Sequence, residues 1–201
     1  MRKVLLAISI FLFSFSVKGQ DYSKWNPGCY YDLSNNKICG LIKWNVPVRS
    51  LFKGKSDHIF YKLPDDSTRQ KIKTDQFKAF VVLADSFVVS HDTLVQDYPI
   101  LKVEINNPLK LYICYRVNNS GGGMMMNNAV NVFIANNSYD KRMYFGKNPD
   151  SLTEIDRSNY VDALCKLVAD DAVLVEAIKN KTYRYGKIYK VLEEYKAFRQ
   201  H

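Results

Sequence analysis

The chain has 201 residues, 47% hydrophobic, with 29 Lys and Arg against 20 Asp and Glu and a formal net charge of +9. That length buries one sizeable core or two small ones. The basic residues are strewn among acidic ones along the chain, which argues against a nucleic-acid binder, and no apolar run after the first reaches membrane-spanning length.

The first zone is that apolar run. Arg2 and Lys3 lead into Val4 to Phe15, and Val17-Lys18-Gly19 sets acceptable residues before a cut at Gln20. This is the order of a secretory signal peptide over residues 1–19, with a core too short to serve as an anchor. Cys29 lies too far beyond it for lipid attachment. Removal takes three of the 29 basic residues, leaving 26 against 20 acidic ones, a net of +6. The expected location is the periplasm or the cell surface.

From 20 to 156 the chain reads as a β-rich domain of short strands. Gly28 to Leu33 and Ile38 to Val46 flank an Asn-rich turn. His58 to Leu63 and Thr68 to Lys73 flank Pro64-Asp65-Asp66-Ser67. Lys78 to Leu83, Ser86 to His91, Ile100 to Ile105 and Leu109 to Val117 follow, the last alternating so as to bury one face. Val130 to Ala135, Arg142 to Gly146 and Leu152 to Ile155 complete the series. Their spacing predicts an antiparallel β-meander, closed as a barrel or folded as a sandwich. Strands this short do not suit an outer-membrane barrel.

Residues 118–128, with Gly121-Gly122-Gly123 and Met124-Met125-Met126, keep no strand or helix period and predict a mobile Gly/Met loop. Adjacent methionines point to opposite sides of an extended chain, so a thioether copper site is disfavoured. A soft contact of Met124, Met125 and Met126 with a partner is the better use.

After 157 the period changes to three and four residues. Tyr160, Ala163, Leu164, Leu167 and Val168 mark a helix capped by Ser158 or Asn159, and Asp170-Asp171 start a second. Ile188, Val191, Leu192, Tyr195 and Phe198 stripe a third. Three short helices bury little alone, so 157–201 is expected to pack on the β domain. The fold class is therefore α+β.

Export permits a disulfide but does not dictate one. Cys29 and Cys39 would sit on neighbouring strands of one hairpin, where side-chain geometry seldom suits a bridge, so bridge and free thiols both stay open. His58, His91 and His201 are scattered. Ser90-His91-Asp92 are adjacent and cannot hold triad geometry, and no phosphate loop, dinucleotide fingerprint or metal spacing is present. The expectation is a non-enzyme without a cofactor. Aromatics such as Trp44, Tyr61, Tyr112 and Tyr144 would suit sugar stacking if exposed.

Gly28-Cys29-Tyr30, Ile38-Cys39-Gly40-Leu41-Ile42-Lys43-Trp44, Phe80 to Phe87, Leu101 to Glu104 and Leu109 to Tyr112 come in an order that resembles a family of small exported proteins of unknown function from Bacteroidetes-type bacteria. The family is similar in ending on short helices, here Tyr160 to Tyr195. The resemblance implies an exported β-then-helix protein and lends no activity or site. The function expected is a binding or structural module for another envelope protein, with glycan binding or an unrecognised hydrolase as alternatives.

Overall fold

The computed structural model describes residues 21–47, 57–117 and 139–199. The predicted signal peptide, the Gly/Met loop with Met124, Met125 and Met126, and the strand at Val130 to Ala135 lie outside the described residues.

Ten strands form one antiparallel sheet: β1 (Asn26–Asp32), β2 (Lys37–Lys43), β3 (His58–Lys62), β4 (Gln70–Lys73), β5 (Phe77–Val82), β6 (Asp85–Val89), β7 (Ile100–Asn106), β8 (Lys110–Val117), β9 (Tyr139–Gly146) and β10 (Thr153–Glu154). Three helices follow, α1 (Tyr160–Leu167), α2 (Ala172–Lys179) and α3 (Ile188–Phe198). The α+β class and the strand-then-helix order hold. The single meander does not: strand order is β10-β9-β8-β7-β6-β5-β1-β2-β3-β4. The chain runs out along four strands, returns, and pairs β5 with the free side of β1, so two meanders share one sheet. Local turn chemistry could reveal each hairpin, but not this long-range pairing.

The sheet does not close into a barrel; it is open and strongly curled. The Trp44 and Tyr115 rings lie 5.8 Å apart, yet β2 and β8 are five strand spacings apart in the sheet. In a flat sheet that separation would be about 24 Å. Curling brings the ends of the concave face together over an aromatic core of Trp44, Tyr22, Phe80 and Phe87, with Ile42 and Ile59 beneath. Gly28 and Gly40 face each other across β1 and β2. A Cβ on Gly28 would stand 2.4 Å from the Val81 carbonyl oxygen, and one on Gly40 would stand 2.7 Å from the Tyr61 ring. Only hydrogen fits at either position.

The other face of β7, β8 and β9 is also covered. Val95, Leu101, Tyr112, Cys114 and Tyr144 form a second core there. Hence β8 buries Leu111, Tyr112, Ile113, Cys114 and Tyr115 in succession, whereas its alternation had predicted one buried face. A third core holds the helices: Leu164, Leu167, Ile178, Val191 and Leu192 pack with Ile105, Leu111 and Ile155. The helical segment thus packs on the sheet, as its amphipathic stripes require.

Short carboxylate-centred turns tie the connections. The Asp32 carboxylate accepts from the Ser34 and Asn36 backbones and the Asn36 side chain at 2.8–2.9 Å. This lets Asn35 adopt the left-handed φ of 64° that Asn tolerates. Asp171 caps α2 through the Leu174 N–H at 2.9 Å. Before α1 the Asp156 carboxylate closes a turn by accepting from the Ser158 and Asn159 N–H groups; Asn159 itself makes no side-chain cap.

These bonds set an acid limit. The Asn36 side chain foremost holds Asp32 below its usual range, Ser158 does so for Asp156, and the Tyr195 hydroxyl for Asp170. Folded values below unfolded ones give stability that is complete above about pH 4–5 and lost as pH falls through the depressed values. Thermal melts should therefore show a lower midpoint at about pH 3 than at pH 6, and equal midpoints would remove these turns as contributors.

Candidate binding surface

The predicted site residues fall in different places. Cys29 and Cys39 stand directly opposite each other in the β1–β2 register and are joined by a disulfide, with Cα atoms 4.0 Å apart. This is the close spacing of a non-hydrogen-bonded antiparallel pair, and it brings the sulfurs within reach although the two residues are neighbours on one hairpin. Cys39 is exposed and Cys29 half-buried, so the bridge lies on the outer, convex face. Closing a sequence separation of 10 constrains the unfolded chain by about 2–3 kcal/mol. Replacing both cysteines by serine should lower the melting midpoint by about 4–12 °C, with no loss of β signal in circular dichroism. Cys114 is buried, which pushes its thiol up to about 11; Cys165 is half-buried with its thiol raised by burial.

The four aromatics named for sugar stacking are all interior: Trp44, Tyr61, Tyr112 and Tyr144 are between 0% and 6% exposed. Burial raises the Tyr112 hydroxyl to about 12. They are packing residues, because both faces of the central strands are covered. No exposed row forms from them.

Each described histidine has a carboxylate beside it. His58 Nδ1 lies 3.0 Å from Asp57 and His91 Nδ1 3.2 Å from Asp150. The run Ser90-His91-Asp92 has a mechanical use. The Ser90 hydroxyl donates to the Pro149 carbonyl at 2.6 Å, the His91 backbone donates to Asp150 at 2.7 Å, and Asp92 accepts from the Leu152 backbone at 2.8 Å. Three successive residues clasp the β9–β10 connection over the convex core. Among the described residues, no group of three or more His, Cys, Asp or Glu is placed to hold a metal ion.

A polar inlay on the concave side had no sequence signal. Lys102 reaches Asp85 at 2.9 Å and Glu104 at 3.5 Å. Tyr22 donates to Asp85, and Lys196 of α3 pairs with Glu104. Burial, then Asp85, raises the Tyr22 hydroxyl well above its usual value, so it remains a donor. Every member is partnered, which marks the inlay as a structural clamp between sheet and helices.

Among the described residues, the convex side of β2, β3 and β4 is left open. Strand alternation puts Lys37 and Lys43 of β2, Lys62 of β3 and Lys71 and Lys73 of β4 all on this side. In register, Phe60 lies between Lys43 and Lys71, and Leu41 faces Lys62. The three strands read KICGLIK, HIFYK and QKIK and contain no Asp or Glu. Charge that looked scattered along the chain is gathered in space, because every lysine in these strands has the same parity once the register is set. None of the five pairs with a carboxylate within 4.0 Å among the described residues. The nearest acids stand at strand ends. Burial opposes ionisation of Asp57, yet its His58 bond and the fields of His58 and Lys71 hold it below the usual range. The Thr68 backbone foremost, with a weak field from Lys62, does so for Asp66.

Two aromatics interleave with the cations. The Lys62 ammonium sits 5.3 Å from the Trp25 ring and the Arg69 guanidinium 5.6 Å from the Phe60 ring. These contacts hold both cations along the face instead of free in solvent. Half-buried Leu41 of β2 and Phe60 of β3 form the floor.

The chain is thus an α+β protein with an open, curled ten-stranded sheet, a helical segment packed on it and one acid-free basic face. Comparison with family models, with curated proteins and with solved structures returned no match. Among the described residues no helix is long and apolar enough to cross a membrane.

Proposed function

We propose that the chain is a non-catalytic binding module of the bacterial envelope, and that the convex face of β2, β3 and β4 is its working surface. The observation that carries this is the basic face itself: five lysines on strands without Asp or Glu, beside a half-buried apolar floor, none of them in an ion pair among the described residues. The leader-like residues 1–19 and the resemblance to exported Bacteroidetes-type proteins support the compartment. The Ser90, His91 and Asp92 side chains serve as a clasp, which supports a role without chemistry.

Co-sedimentation of the purified protein with isolated envelope fractions tests the reading. The wild type should be carried down, Phe60→Ser should reduce the bound fraction several-fold, and Val173→Ser, 83% exposed on α2, should leave it unchanged. Equal sedimentation of the Phe60 variant, with its fold intact by circular dichroism, would overturn the assignment of this face.

A further inference from the structure

We infer that the partner of this face is an acidic polysaccharide, a polymer carrying repeated carboxylates along an extended chain. The inference rests on the binding-surface reading above and adds the chemistry of the occupant.

Three features select it. First, charge complementarity: Lys37, Lys43, Lys62, Lys71 and Lys73 share the face and no strand beneath it bears an acid. Unpaired lysines on adjacent strands repel one another, a cost that a polyanion removes on binding. Second, the layout is convex and open. Lys43, Phe60 and Lys71 run straight across three strands, so the outer two cations are about 10 Å apart at strand spacing. Cations spread across an open convex surface suit an extended chain, not a small molecule, which needs a concave site.

Third, the alternatives fit less well. The buried centre of a protein–protein interface is depleted in lysine and rich in aromatic anchors, whereas here lysine predominates and the aromatic floor is half-buried. A lipid surface would be met by protruding apolar side chains. The exposed leucines Leu33, Leu63 and Leu83 sit in turns at strand ends and not on this face. Sugar stacking on Trp44, Tyr61, Tyr112 and Tyr144 fails because they are buried, yet recognition by charge needs none of them.

The test uses alginate, with a carboxylate on every sugar, against uncharged dextran and phosphatidylglycerol vesicles. The protein should bind alginate and not dextran, with affinity falling about ten-fold or more between about 50 and 200 mM salt. Lys43→Gln/Lys62→Gln/Lys71→Gln should weaken it by about ten-fold or more. A charge-matched triple on the exposed helical side, Lys166→Gln/Lys179→Gln/Lys187→Gln, should bind like the wild type.

No alginate binding, or equal losses in both triples, overturns the inference, since the second result is attraction by net charge alone. Vesicle binding that depends on the face lysines while alginate is ignored overturns it in favour of a membrane surface. If the face triple still co-sediments with envelope fractions while Phe60→Ser does not, the polyanion is wrong and the binding surface stands. A protein partner is then the outcome.

Discussion

Trp44→Ala should destabilise the protein by about 3–5 kcal/mol, which lowers the melting midpoint by about 6–20 °C. Trp44 is 1% exposed and stands just past the end of β2. Its ring packs 4.9 Å from Phe87, 5.9 Å from Tyr22, 6.1 Å from Phe80 and 5.8 Å from Tyr115. Tyr22 comes from the segment before β1, Phe80 from β5, Phe87 from β6 and Tyr115 from β8, so one side chain spans the curl from both ends. Its backbone is held too, the Trp44 N–H donating to the Tyr22 carbonyl at 2.9 Å. Truncation leaves a void that the surrounding rings cannot close without uncurling the sheet. Trp25, half-buried beside Lys62, gives the contrast: Trp25→Ala should cost under about 1 kcal/mol. Denaturant unfolding of the two single variants distinguishes them. A Trp44→Ala cost no larger than that of Trp25→Ala would mean that the sheet's curvature is held elsewhere.

The aromatic cluster also marks the boundary of what could be read before the structure. Individual strands were legible because each is a short β-branched and aromatic run between Asn, Asp, Pro or Gly turns, and the helices because their stripes recur at three and four residues. His58–Lys62 and Ile100–Asn106 lie within a residue of where their patterns place them. The return of β5 to β1 was not legible, since it depends on curling the whole sheet around Trp44 and on glycines at 28 and 40 that admit close approach.

The same gap hid the candidate surface. Lys37 to Lys43 carries two lysines six residues apart, and alternation alone puts them on one side. That Lys62, Lys71 and Lys73 join them depends on the registers Leu41↔Lys62 and Phe60↔Lys71. Those registers follow from which residues of β3 and β4 go inward, Ile59, Tyr61 and Ile72. The burial of Tyr112 and Cys114 was missed for a related reason. Polar or small residues opposite a hydrophobic stripe usually face water, but here the segments after β6 and β9 fold over that side and Ser90, His91 and Asp92 clasp them.

Lys102→Met should cost about 2–4 kcal/mol, and Lys102→Met/Asp85→Asn/Glu104→Gln should recover most of it. In sequence, Leu101-Lys102-Val103-Glu104 has the pattern of a strand with charged residues outward. In the structure Leu101 and Val103 enter the convex core, and Lys102 and Glu104 point to the concave side, with side chains 17% and 10% exposed. Taking the ammonium away leaves Asp85 and Glu104 as poorly solvated carboxylates. Tyr22 and Lys196 offset this in part, and residual solvent access keeps the cost below that of a fully interior pair. Neutralising all three removes the charges that need compensation, which is why the larger substitution should be the milder one. Lys196→Ala isolates the outer arm. Its side chain is 50% exposed, so a loss under about 1 kcal/mol is expected. Denaturant midpoints for the three variants decide the matter: a triple variant as unstable as Lys102→Met would show that the loss does not come from uncompensated carboxylate charge. Recovery would instead identify the inlay as an electrostatic clamp. It fixes β7 between the aromatic core and the helical one, and through Lys196 and Glu104 sets where α3 rests on the sheet.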